Sequence, residues 1–154
     1  MRLRLPILSA CVIISGAAGL AYEVVWSRYL GLLIGSSTVA HTVVLAVFMG
    51  GLALGNSVFG RFADRTQRPL FAYGVLEFGI AAWAVVFVVG WPGASALYLT
   101  IGRALGPESG GLLWVKLALA VLLLLPPTVL MGGTIPLLSR FVVAHDDEIG
   151  ARVA

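Results

Sequence analysis

Apolar residues run along this chain in long uninterrupted blocks, with neither strict alternation nor a one-sided helical stripe. Residues 5–22, 29–60, 78–102 and 117–139 contain no Asp, Glu, Lys or Arg. Each block is close to or above the roughly 20 apolar residues that span a bilayer core. The pattern predicts four membrane-spanning helices over about 6–34, 38–60, 69–91 and 112–143. The fold class is therefore all-α, a polytopic membrane protein with little soluble mass.

Helix breakers shape these boundaries. Pro6 suits a first turn, and the first helix, roughly 43 Å long at 1.5 Å per residue, exceeds the ~30 Å hydrocarbon core. "GWPG" at 90–93 is read as the end of the third helix, followed by a long connection that holds a short interfacial helix around 97–105. The fourth helix carries Pro126, Pro127 and Pro136, each of which removes a donor and predicts a kink.

Composition removes water as the sole solvent. The chain is 60% hydrophobic and 11% charged, with mean hydropathy +1.02, against roughly 25% charged residues in a soluble domain. A net charge of +3 without basic patches interleaved with aromatics gives no nucleic-acid signature. Cys11 is the single cysteine, so no internal disulfide forms, and with His41 and His145 it makes no metal-ligand spacing. No cofactor is expected. "MRLR" before an apolar stretch has the outline of a signal peptide, but no polar mature start follows. "LSAC" at 8–11 has its apolar segment after the cysteine, opposite to a lipoprotein box.

The basic residues set a topology. With the amino terminus cytoplasmic, Arg2, Arg4, Arg61, Arg65, Arg68, Arg140 and Arg152 lie inside, and Arg28, Arg103 and Lys116 outside. Seven against three follows the positive-inside rule, and both termini are then cytoplasmic.

Membrane helices associate by close packing and interhelical hydrogen bonds. Helix two offers Ala46, Gly50, Gly51 and Gly55, with "GLALG" a small-xxx-small pair, and helix one offers Ser15, Gly19, Glu23 and Ser27 at steps of four. The helix-one stripe is expected to face another helix. Glu23 lies roughly 25 Å and Arg28 roughly 33 Å along helix one, about 140° apart around it. They do not pair along one face. Arg28 can snorkel to headgroups, whereas Glu23 needs an interhelical partner or a proton. Glu23 is the leading functional candidate, with the alternative of a structural carboxylate fixing register. Arg28 and His41 lie in the same half of the bundle. Glu77, about 10 Å into helix three, either bonds a neighbouring helix or reaches the loop.

Between helices two and three lies "GRFADRTQRP". It resembles the cytoplasmic loop motif of major facilitator transporters at Gly60, Asp64, Arg65 and Arg68, with Gln67 where that family has a second glycine. Gly60 would let two helices approach, and Asp64 would sit near a helix N-terminus. The resemblance implies a conformational latch; the residues alone also fit a plain topology determinant. More widely, "SGAAGLAYEVVWSRYLGLLIGSS", "LAVFMGGLALGNSVFGRFADR" and "PPTVLMGGTIPLLSR" look like the amino-terminal membrane region of bacterial proteins that join a facilitator-like bundle to a spermidine-synthase-like domain.

That resemblance implies the first part of a longer inner-membrane bundle with a role in polyamine or related cation transport or synthesis. Expected partners are the lipid bilayer, further helices or a synthase-like domain, and a second copy of the chain. The segment itself is not expected to be an enzyme. It has no Gly-rich nucleotide loop after a strand, so any aminopropyltransferase activity belongs to a linked domain. Two other readings remain open: a stand-alone small multidrug-exporter-like proton/cation antiporter using Glu23, and a non-transporting scaffold subunit.

Overall fold

The structure is a computed structural model that describes residues 4–34, 37–105 and 110–153. Every described residue outside the turn at 64–68 is helical. The helices are α1 (Arg4–Ile34), α2 (Ser37–Ala63), α3 (Pro69–Leu105) and α4 (Gly110–Val153). Each contains a segment long and apolar enough to cross a membrane, namely Ala10–Leu32, His41–Ala63, Pro69–Ala104 and Gly111–Val143. Large apolar side chains are exposed on all four helices. Phe78 is 76% exposed and Leu32 and Val89 are each 75% exposed. Contiguous apolar surface on this scale is solvated by lipid. The chain is an all-α polytopic membrane bundle.

Two helices are longer than the sequence rules predict. Helix three does not stop at residue 91; α3 runs through Pro92 to Leu105. The interfacial helix expected around 97–105 is the end of α3 itself. Helix four extends from Gly110 to Val153, beyond the expected 112–143, with Pro126, Pro127 and Pro136 inside it. For α3 the physical reason lies in the solvent; the added residues of α4 after Val143 lie outside its apolar span. In hydrocarbon a broken helix strands several peptide groups with no water to receive them, whereas a proline strands one. Ser95 Oγ donates to the Pro92 carbonyl at 2.9 Å, whereas the carbonyl that lacks the Pro92 amide is that of Val88.

The packing is centred on α4, which lies most extensively against α2 and then α3, while α1 rests mainly on α2 and only lightly on α3 and α4. The α2–α4 seam is backbone on backbone. A Cβ on Gly55 would stand 2.8 Å from the Val129 carbonyl carbon and 3.0 Å from the Gly132 Cα. Reciprocally, a Cβ on Gly132 would stand 2.8 Å from the Leu52 Cα. One on Gly51 would run into the Thr128 side chain. Residue numbers rise together along the seam, Gly51 at Thr128 and Gly55 at Gly132, so the two helices are parallel. Close approach of small residues is the main source of helix association where lipid competes equally for apolar side chains.

Two clusters of buried side chains flank this seam. One gathers Trp26 and Leu30 of α1, Val44 and Phe48 of α2, Phe87 of α3, and Ala120 and Leu124 of α4. Aromatic rings carry α1 across to α3 there. Trp26 and Phe87 have centroids 6.0 Å apart, and Tyr29 and Trp91 meet edge-on at 4.7 Å. The other cluster, nearer the 64–68 turn, joins Ala63, Tyr73, Leu76 and Leu137.

Candidate functional site

The polar group that the fold brings together across helices is centred on Glu77. Ser15 of α1 donates its hydroxyl hydrogen to Glu77 Oε1 of α3 at 2.6 Å, the length of a strong O–H···O bond to a carboxylate. Tyr73, one turn before Glu77 on the same face of α3, lies beside both residues. Its ring is only 7% exposed. Glu77 thus bonds a neighbouring helix, the first of the two roles its position allowed.

Space opens on both sides of this bond. A cavity of about 300 Å³ is lined by Val12, Ser15, Gly19, Leu20 and Tyr73, with Phe48 and Leu52 of α2 and Met131 of α4. A smaller one of about 60 Å³ is lined by Ser15, Gly19, Tyr22, Glu77, Ile80 and Met131. Their shared wall is Ser15, Gly19 and Met131. Gly19 is buried there, with space for a Cβ 3.7 Å from the Met131 sulfur. The light packing of α1 on α3 and α4 is what leaves these voids. The Ser15/Gly19 stripe of helix one does face other helices, and Ser27, on the same stripe, is 6% exposed.

Glu23 stands elsewhere. It is half-buried on α1 and lines neither cavity. Arg28 and His41 are exposed. Among the described residues, no side-chain hydrogen bond or ion pair joins Glu23 to either of them. Lys116, at the same end of the bundle, lies over the Tyr98 ring, 5.7 Å from its centroid.

The loop residues form a compact turn. The Asp64 amide donates to the Gly60 carbonyl at 3.2 Å, and the Arg65 and Thr66 amides donate to the Phe62 carbonyl at 3.1 Å. Gly60 does not mediate a close approach, because a Cβ there meets nothing within 4 Å. The side chain that bonds the backbone ahead of α3 is Thr66, whose Oγ1 accepts the Arg68 amide at 3.4 Å. Asp64, Arg65 and Arg68 are exposed.

The prolines of α4 expose a second polar device that sequence reasoning missed. Pro127 has no amide hydrogen to give to the carbonyl four residues earlier, that of Leu123. That carbonyl instead accepts the Trp83 indole N–H of α3 at 2.9 Å. Thr128, fully buried, shares its one hydroxyl hydrogen between the Leu124 and Leu125 carbonyls, 2.9 and 3.0 Å from Oγ1. An indole hydrogen-bonding to a proline-freed carbonyl links α3 and α4 at membrane depth.

No protein-family model, curated protein or solved structure matches the chain. The functional reading therefore rests on the geometry. Among the described residues there is no cluster of metal-ligating side chains.

Proposed function

We propose that the chain is part of a facilitator-like bundle in the bacterial inner membrane, with both termini cytoplasmic, in a protein that handles polyamines or related organic cations. Its cation- or proton-responsive centre is Glu77 with Ser15 and Tyr73, in preference to Glu23. The observation that carries this is the 2.6 Å Ser15–Glu77 bond between α1 and α3, with Glu77 lining the cavity of about 60 Å³ and Ser15 and Tyr73 lining the adjoining one of about 300 Å³. A carboxylate inside a span is functional by default and must be paired, protonated or bound to a cation. The apolar lining of the larger cavity suits methylene groups, and an ammonium at their end would meet Glu77 past the shared wall of Ser15, Gly19 and Met131. The basic 61–68 turn and the seven-to-three distribution of basic residues support the orientation. Any aminopropyl transfer would need a further, soluble domain.

Thermal unfolding of the purified chain in detergent, titrated with spermidine at constant ionic strength, tests the reading. Wild type and Glu23→Gln should gain about 4 °C in Tm at roughly ten times Kd, saturably. Glu77→Gln should lose the response, and Ser15→Ala should weaken it. A wild type without a saturable rise, or an unchanged response in Glu77→Gln, would overturn the proposal.

A further inference from the structure

At the end of the bundle that carries the 64–68 turn, a groove of about 540 Å³ opens between α2, α3 and α4. Its walls are apolar, with Phe59 and Phe62 from α2, Phe71 and Leu76 from α3, and Leu137 from α4. Its rim is polar, formed by Thr66, Gln67 and Arg68. The boundary between the two is set by the membrane. All five wall residues lie inside the spans His41–Ala63, Pro69–Ala104 and Gly111–Val143, and the rim residues lie in the turn between the first two. The groove therefore points its apolar part into hydrocarbon and its rim at the headgroup layer. A second groove of about 620 Å³, between Val12, Ile13, Ile135 and Val142, has no charged lining residue.

From this coincidence we infer that the α2–α3–α4 groove is a binding site for an anionic phospholipid, with acyl chain against the phenylalanines and phosphate at Arg68. Charge complementarity selects the headgroup. The turn and its flanks hold Arg61, Arg65 and Arg68 against Asp64, an excess of cations at the depth where anionic headgroups sit. Arg68 is exposed at the rim. Among the described residues no carboxylate pairs with its guanidinium, whose planar fork suits bidentate contact with phosphate. Thr66 and Gln67 add hydrogen-bonding groups beside it. The groove has no lining residue in common with the cavities at Glu77, although Tyr73 packs in one cluster with its Leu76 and Leu137.

Native mass spectrometry of the delipidated full chain in detergent, titrated separately with phosphatidylglycerol and phosphatidylcholine, tests it. Wild type should bind phosphatidylglycerol in preference. Arg68→Gln should weaken that binding by about fivefold, the loss of one surface cation, and weaken phosphatidylcholine binding less, because the choline ammonium offsets the phosphate that both lipids carry. Arg103→Gln, at the far end of α3, should behave as wild type. Equal binding of the two lipids, an Arg68→Gln variant equal to wild type, or the same loss in Arg103→Gln would each overturn it. So would a dimer that forms in place of lipid binding.

Discussion

Gly55→Ala is expected to destabilise the bundle by at least about 2 kcal/mol, whereas Gly60→Ala leaves it unchanged or slightly more stable. The two glycines sit on the same helix, and the added methyl group is the same. The difference is what that methyl meets. At Gly55 it would press on the backbone of α4, 2.8 Å from the Val129 carbonyl carbon and 3.0 Å from the Gly132 Cα. Backbone cannot rotate away as a flexible side chain does, so α2 and α4 must separate and lose dispersion contacts along the whole seam. At Gly60 nothing lies within 4 Å, and alanine removes some of glycine's conformational freedom in a helix, worth about 0.5 to 1 kcal/mol. Unfolding of the purified variants in mixed micelles, followed by tryptophan fluorescence, reads both. Equal stabilities for Gly55→Ala and Gly60→Ala would mean that the α2–α4 seam does not hold the bundle together.

This contrast also marks how far the sequence could be read. "GLALG" announces a packing pair because two small residues four apart share a helix face, and Gly51 and Gly55 do lie at the seam. Sequence spacing cannot say which helix receives them. Gly50 and Gly60 look equally suited, yet both face open space. What distinguishes them is rotation about α2, which is fixed by Thr128 and Gly132 far along the chain. The four spans were legible because hydrocarbon demands long charge-free stretches. The end of α3 was not, because a proline that breaks a helix in water need not break one in lipid. In water an interrupted helix is rescued by solvent; in lipid α3 passes Pro92 and α4 passes three prolines.

The candidate site was legible by residue type more than by place. An acidic side chain within a span calls for a partner, and that reasoning applies equally to Glu23 and Glu77. Depth along the helix favoured Glu23. The partner decides otherwise, and it lies 62 residues away, where Ser15 reaches Glu77. One local signal did point to α3. Tyr73 and Glu77 are four apart, so they share a face, and a phenol beside a carboxylate within a span is a polar pair that needs an interior position. Ser15 stood on a stripe already expected to face another helix. Only the fold joins these two signals.

The Trp83–Leu123 bond leads to the second large effect, in which a proline and an indole depend on each other. Trp83→Phe should destabilise the wild-type chain by about 1 to 3 kcal/mol, because it keeps an aromatic ring but removes the N–H that reaches the Leu123 carbonyl at 2.9 Å. That carbonyl has lost its usual helical donor to Pro127, and at membrane depth no water replaces it. In a Pro127→Ala background the alanine amide can donate to Leu123 in the ordinary i to i−4 geometry. The same Trp83→Phe change should then cost only the difference in packing. Pro127→Ala alone carries its own penalty, since the buried ring leaves a small void, so neither single variant isolates the bond. The double-mutant cycle does, and unfolding free energies in mixed micelles should give a coupling of about 1 kcal/mol or more between the two positions. If Trp83→Phe destabilises both backgrounds equally, the indole contributes by its bulk, and the proline-freed carbonyl is satisfied in some other way.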